Sequence, residues 1–124
     1  MLNILIIGIG GFFGAILRYI ISGFFYDLYG NKFPYGTLAV NIIGCLILGF
    51  FITLAEGKFI VSPQMKSFVA IGLLGAFTTF STFSFETLVL LQRELYISAF
   101  LNIFISISAG LLAVWLGIIL AKLF

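Results

Sequence analysis

The sequence predicts an all-α integral membrane protein of four spanning helices, the third of them interrupted, on three observations. The 124 residues are 63% hydrophobic and only 8% charged, far from the balance of a water-soluble domain. Four apolar runs of about 20 residues, the length needed to cross a bilayer, lie between charged or turn-prone breaks. These runs cover nearly all of 1–124 as a single transmembrane domain and leave no stretch for a soluble one.

The first helix is expected over about 3–21. It is as apolar as a signal peptide, but it lacks a basic front, is long, and carries Arg18 and Tyr19 at its far end instead of a small-residue cleavage site. The break DLYGNKFP (27–34) holds Gly and Pro turn signals, and the second helix follows over about 36–54. EGKFIVSPQMK (56–66) is the next break. The third helix is expected over about 68–91, and QRE (92–94) barely separates it from the fourth, over about 96–120. Short breaks force neighbouring helices to run antiparallel, so both termini lie on one side.

One cysteine, Cys45, and no histidine exclude disulfides within the chain and histidine-ligated metals. Cys45 is most simply a small packing residue. No metal-ligand cluster or nucleophile and base pair suggests an enzyme.

Orientation is normally set by an excess of Lys and Arg in cytoplasmic loops. Of the six here, Lys58, Lys66 and Lys122 fall on the terminus side and Arg18, Lys32 and Arg93 on the other, three against three. Two readings follow: one orientation wins through another feature, or copies insert both ways and pair as an antiparallel dimer.

Lipid gives no hydrophobic drive for helices to associate, so small residues that let backbones approach mark packing faces. Gly10 and Gly14 do so in the first span, Gly36, Gly44 and Gly49 in the second, and Ala109, Ala113 and Gly117 in the fourth. Polar groups are costly there unless paired or lining a wet cavity. Asn41 lies one turn after Thr37 in the second span, and Ser106 one turn after Asn102 in the fourth. The bland alternative is that hydroxyls bond their own preceding turn and an Asn joins two helices.

TTFSTFSFE (78–86) is the most informative string. On a helix, Phe80 and Phe83 share one face, with Thr79, Thr82 and Glu86 on a neighbouring one and Ser81 and Ser84 beside them. A ring has a negative face and a positive edge, so two rings presented edge-on attract an anion without holding it too tightly. The preceding GLLGAFTT is a weak stretch of helix, and interrupted membrane helices expose carbonyls that can hold a cation.

Three motifs carry a family resemblance: Gly11-x-x-Gly14-Ala15-x-x-Arg18-Tyr19; Gly36-Thr37-Leu38-x-Val40-Asn41-x-x-Gly44; and Gly72-x-x-Gly75-x-x-Thr78-Thr79-Phe80-Ser81-Thr82-Phe83-Ser84-x-Glu86. Together they resemble the Fluc (CrcB) fluoride channels over the whole chain. The resemblance implies a passive fluoride channel of the bacterial inner membrane, built as an antiparallel, dual-topology homodimer with two pores, with no nucleic-acid partner. By position it implies that Phe80 and Phe83 line the pore by their edges, with Asn41 as the amide donor beside them. It implies that Gly75 and Thr78 mark a helix break whose backbone carbonyls hold a structural sodium ion at the dimer axis. Thr37, Ser81, Asn102 and Ser106 fall on or near the family's polar track. Gly110 departs from it, since relatives can carry a hydroxyl there. Arg18 and Glu86 match the motifs without an assigned role.

The rival is a small multidrug-type, dual-topology secondary transporter, which would place an acidic residue in a span. Only Glu86 is available. In the channel reading, neutral hydrogen fluoride enters from acidic surroundings and releases fluoride in the less acidic cytoplasm. The trapped ion then leaves down its electrochemical gradient, helped by roughly 2.3 kcal/mol per charge per 100 mV of inside-negative potential.

Overall fold

A computed structural model describes residues 1–57 and 61–124; Lys58, one of the charges weighed above, lies outside the described residues. The elements are α1 (Leu2–Tyr29), α2 (Tyr35–Gly57), α3 (Pro63–Lys66), a π-helical segment (Ser67–Leu74), α4 (Gly75–Phe77), α5 (Phe80–Gln92) and α6 (Tyr96–Leu123). Four units are long and apolar enough to cross a membrane: α1, α2, the stretch Pro63–Gln92 and α6. The four expected spans are therefore present, and the third is interrupted.

The boundaries differ where local chemistry outlasted the hydropathy signal. α1 runs to Tyr29, because nothing between Ile21 and Tyr29 breaks a helix; it stops at Gly30, which takes φ 80 and returns its N–H to the Tyr26 carbonyl. Pro63 opens α3 at a position where the missing N–H is harmless, and Ser62 caps it by accepting from the Met65 N–H at 3.2 Å. Arg93 to Leu95 make a tight turn with Glu94 at φ 60.

The bundle is packed through its smallest residues. Its large aliphatic and aromatic side chains mostly point outward, whereas Gly10, Gly14, Gly72, Ala99, Ala113, Gly117 and Ala121 are buried. A methyl group at Gly14 would strike the Leu73 carbonyl, and one at Gly117 the Leu46 carbonyl. Backbone thus meets backbone between α1 and the π segment, and between α2 and α6, as lipid-embedded helices require. In α6 the buried stripe runs through Asn102, Gly110, Ala113 and Gly117, with Ala109 half-buried beside it. A Cβ at Gly110 would meet only Cys45 Sγ, at 3.7 Å. Three of the larger buried side chains, Val40, Leu74 and Phe77, form one small core, with Leu74 and Phe77 just before the break in sequence.

Candidate functional site

The break falls at Thr78 and Thr79, both extended (φ −86, ψ 159 and φ −152, ψ 121). Two adjacent β-branched residues favour that backbone, and their hydroxyls finish the two helical ends. Thr78 Oγ1 donates to the Leu74 carbonyl at 3.0 Å, closing the first half. Thr79 Oγ1 accepts the Thr82 N–H at 3.2 Å, capping α5.

Asn41 on α2 replaces the hydrogen bonds that the break removes. Its Oδ1 accepts the Thr79 N–H at 2.8 Å and its Nδ2 donates to the Thr79 carbonyl at 3.0 Å. The amide orientation is set by its partner, since a backbone N–H can only donate. One Nδ2 proton is committed, and the other remains for a ligand. Gly44, one turn on, leaves room for the break: a Cβ there would collide with Thr78 Cγ2.

The diversion frees backbone oxygens. The Thr79 N–H, which would serve the Gly75 carbonyl in a continuous helix, goes to Asn41, and the Thr82 N–H, which would serve Thr78, goes to Thr79 Oγ1. Gly75 and Thr78 thus offer hard neutral oxygens of the kind that suit a sodium ion. Among the described residues, no group of three or more His, Cys, Asp or Glu side chains could hold a metal.

A cavity of about 350 Å³ opens beside the break, with Asn41, Gly75, Thr78, Phe80, Phe83 and Ser106 among its lining residues. Six expected site residues are therefore brought together. The two rings lie 5.7 Å apart between centroids and are tilted by 43°. Ser106 Oγ is buried without a hydrogen-bond partner among the described residues. Among the described residues, no charged side chain lines the cavity.

The other expected residues fall elsewhere. Ser81 is exposed, 3.3 Å from Thr79 Oγ1; because the single Thr79 hydroxyl proton goes to Thr82 Oγ1 at 3.1 Å, Ser81 is the donor in that contact. Asn102 does not line the cavity. It is 1% exposed, and its Nδ2 donates to Thr87 Oγ1 at 2.8 Å, so it joins two helices. Thr37 lies 3.3 Å from Tyr26 Oη, and that hydroxyl donates to Glu86 Oε1 at 2.7 Å. The other Glu86 oxygen is buried without a partner among the described residues. A second cavity of about 290 Å³ adjoins Tyr26 and Glu86 and reaches Lys32 and Arg93. Arg18 is partly buried on α1 and lines neither cavity.

Sequence reasoning missed Tyr26 and Thr87. Tyr26 sits just before the first turn, and no spacing rule connects it with Glu86, 60 positions away. Thr87 had a signal, since it follows Phe83 by one turn on the same stripe.

The comparisons agree with the residue-level resemblance. A family model described as "CrcB-like protein, Camphor Resistance (CrcB)" matches residues 5–118. Proteins named "Fluoride-specific ion channel FluC" are similar along nearly the whole chain. The one from Shewanella woodyi is 49% identical over 117 residues, covering 94% of each chain. That from Hydrogenovibrio crunogenus is 47% identical over 124 residues, covering 100% of this chain and 94% of its own. That from Shewanella sp. (strain W3-18-1) is 46% identical over 117 residues. With four membrane-spanning units, an interrupted third span and these relatives, the chain belongs to the CrcB family.

Proposed function

We propose that this multi-pass membrane protein is a fluoride-selective passive channel that lets fluoride leave the cytoplasm across the bacterial inner membrane, and so confers fluoride resistance. It is a conduit and not an enzyme. The observation that carries this reading is the uncharged cavity in which the Phe80 and Phe83 rings, the Asn41 amide and the unpartnered Ser106 hydroxyl converge. A small anion there exchanges water for amide and hydroxyl protons and ring edges. With no fixed positive charge among the described residues of the wall, it is not trapped. The membrane potential and the fluoride gradient supply the drive, with no coupled ion or nucleotide.

The lone chain supports a paired assembly. Phe80 is 79% exposed, and Ser81, Thr82 and Ser84 are also exposed in the middle of a span, where lipid is a poor neighbour for hydroxyls. A second, antiparallel copy would cover this surface and wall the path. The freed carbonyls of Gly75 and Thr78, one set per copy, would then hold a sodium ion between the two chains. Such an ion would offset converging carbonyl dipoles and tie the copies together.

Purified protein in liposomes tests the proposal. Fluoride should leave rapidly and chloride should not. Equal rates for both ions, or none above protein-free liposomes, would reject it. Labels at the C-terminus should be reached from both sides of the membrane; labelling from one side alone would reject the antiparallel pair.

A further inference from the structure

Building on the channel reading, we infer that Asn102 and Thr87 are positioning residues for Phe83, acting through a two-step hydrogen-bond relay, and that Asn102 does not touch the ion. The Thr87 hydroxyl donates to the Phe83 carbonyl at 2.7 Å and accepts from Asn102 Nδ2 at 2.8 Å. Its polarity is fixed, because one hydroxyl carries one proton and that proton is used on Phe83. Both polar residues are buried, Thr87 at 7% and Asn102 at 1% exposure, where such relays stiffen one arrangement and a missing member is costly.

The relay bears on the ring because of where α5 is anchored. Beyond the break, Phe80, Ser81, Thr82, Ser84, Phe85 and Leu88 are all exposed. Only Thr87 and Leu90 in α5 are buried, and they share the stripe of Phe83. α6 therefore holds the turn carrying Phe83 from behind, while Tyr26 of α1 holds it at Glu86. Ser106, one turn after Asn102, lines the cavity that Asn102 does not reach. The two polar residues of α6 thus divide the work: one borders the path and the other aims the ring across it.

The test compares Asn102→Leu, Thr87→Val, the double variant and Thr87→Ser, with fluoride flux counted per folded dimer. Thr87→Ala replaces the valine variant if that gives no dimer. A second readout is the ¹⁹F spectrum of protein carrying 4-fluorophenylalanine at position 83. The relay predicts that each single variant loses about tenfold in flux, that the double is no worse than the lower single, and that Thr87→Ser stays close to wild type. It also predicts that the position-83 ¹⁹F line broadens or splits in the Leu and Val variants and not in the Ser variant. Loss of flux in Asn102→Leu with Thr87→Val intact would overturn the inference, because Asn102 would then be touching the ion. Unchanged flux and an unchanged line in both variants would overturn it too, leaving only a structural tie. A wild-type protein that passes no fluoride would instead sink the channel reading, with the ¹⁹F line still reporting on the relay.

Discussion

Asn41 holds Thr79 by both ends of its amide, taking the Thr79 N–H at 2.8 Å and giving a proton to the Thr79 carbonyl at 3.0 Å. One side chain therefore keeps the third span open and also faces the cavity. Asn41→Asp keeps the shape and the acceptor but sets a carboxylate oxygen against a carbonyl oxygen. We expect a loss of about 1 to 3 kcal/mol of stability together with loss of fluoride flux. Thermal unfolding in detergent and liposome efflux read the two separately, and a fully stable, fully conducting Asp variant would contradict both roles.

Phe80→Ile and Phe83→Ile test the ring edges. An aliphatic side chain keeps much of the volume and has no quadrupole, so flux should fall sharply while the folded protein persists. A packing role alone would instead cost about 1 kcal/mol at Phe83 with transport intact, and would cost little at Phe80, which the single chain leaves 79% exposed.

Gly44→Ala should damage the break. The new Cβ meets Thr78 Cγ2, and Thr78 cannot simply rotate away without giving up its bond to the Leu74 carbonyl. A cost of about 1 to 3 kcal/mol is expected, with flux reduced. Gly23→Ala, which meets nothing within 4 Å, should gain up to roughly 1 kcal/mol from helix propensity. Comparable damage at both positions, measured by unfolding temperature, would refute the assignment.

Tyr26→Phe and Glu86→Gln should behave differently. Removing the hydroxyl takes from Glu86 Oε1 its one partner among the described residues and costs about 1 to 3 kcal/mol. Gln at position 86 still offers a carbonyl to Tyr26 and should stay near wild-type stability. The reverse order in a thermal melt would show that the Tyr26 contact is incidental.

The spans were legible because lipid demands long apolar runs, and the break was legible because GLLGAFTT combines glycines with paired threonines. The π-helical turn at Ser67–Leu74 was not. It depends on carbonyls of α1 and of its own segment meeting at glycines, which is a tertiary fit and not a local preference. Asn102 joins α6 to α5 through Thr87, while Ser106 on the same face has no hydrogen-bond partner among the described residues. Their spacing is what one face of a helix produces in either case, so only the position of Thr87 separates them. α1 outran its expected end by eight residues, from Ile21 to Tyr29, because hydropathy measures membrane thickness and helices can continue past it.

The two extended residues at Thr78 and Thr79 also separate two inheritances. Each advances the chain by about 3.3 Å instead of the 1.5 Å of a helix, and the turn angle of α5 no longer follows from that of the segment before it. Residues 63–77 answer to the glycines of α1, whereas residues 80–92 answer to α6 through Thr87 and to Tyr26 through Glu86. Substitutions on one side of Thr78 can therefore accumulate without rotating the other, so that permeation can be retuned in evolution while the membrane scaffold stays as it is. A graft of residues 80–92 from a relative should carry that relative's conduction into this chain without disturbing its assembly.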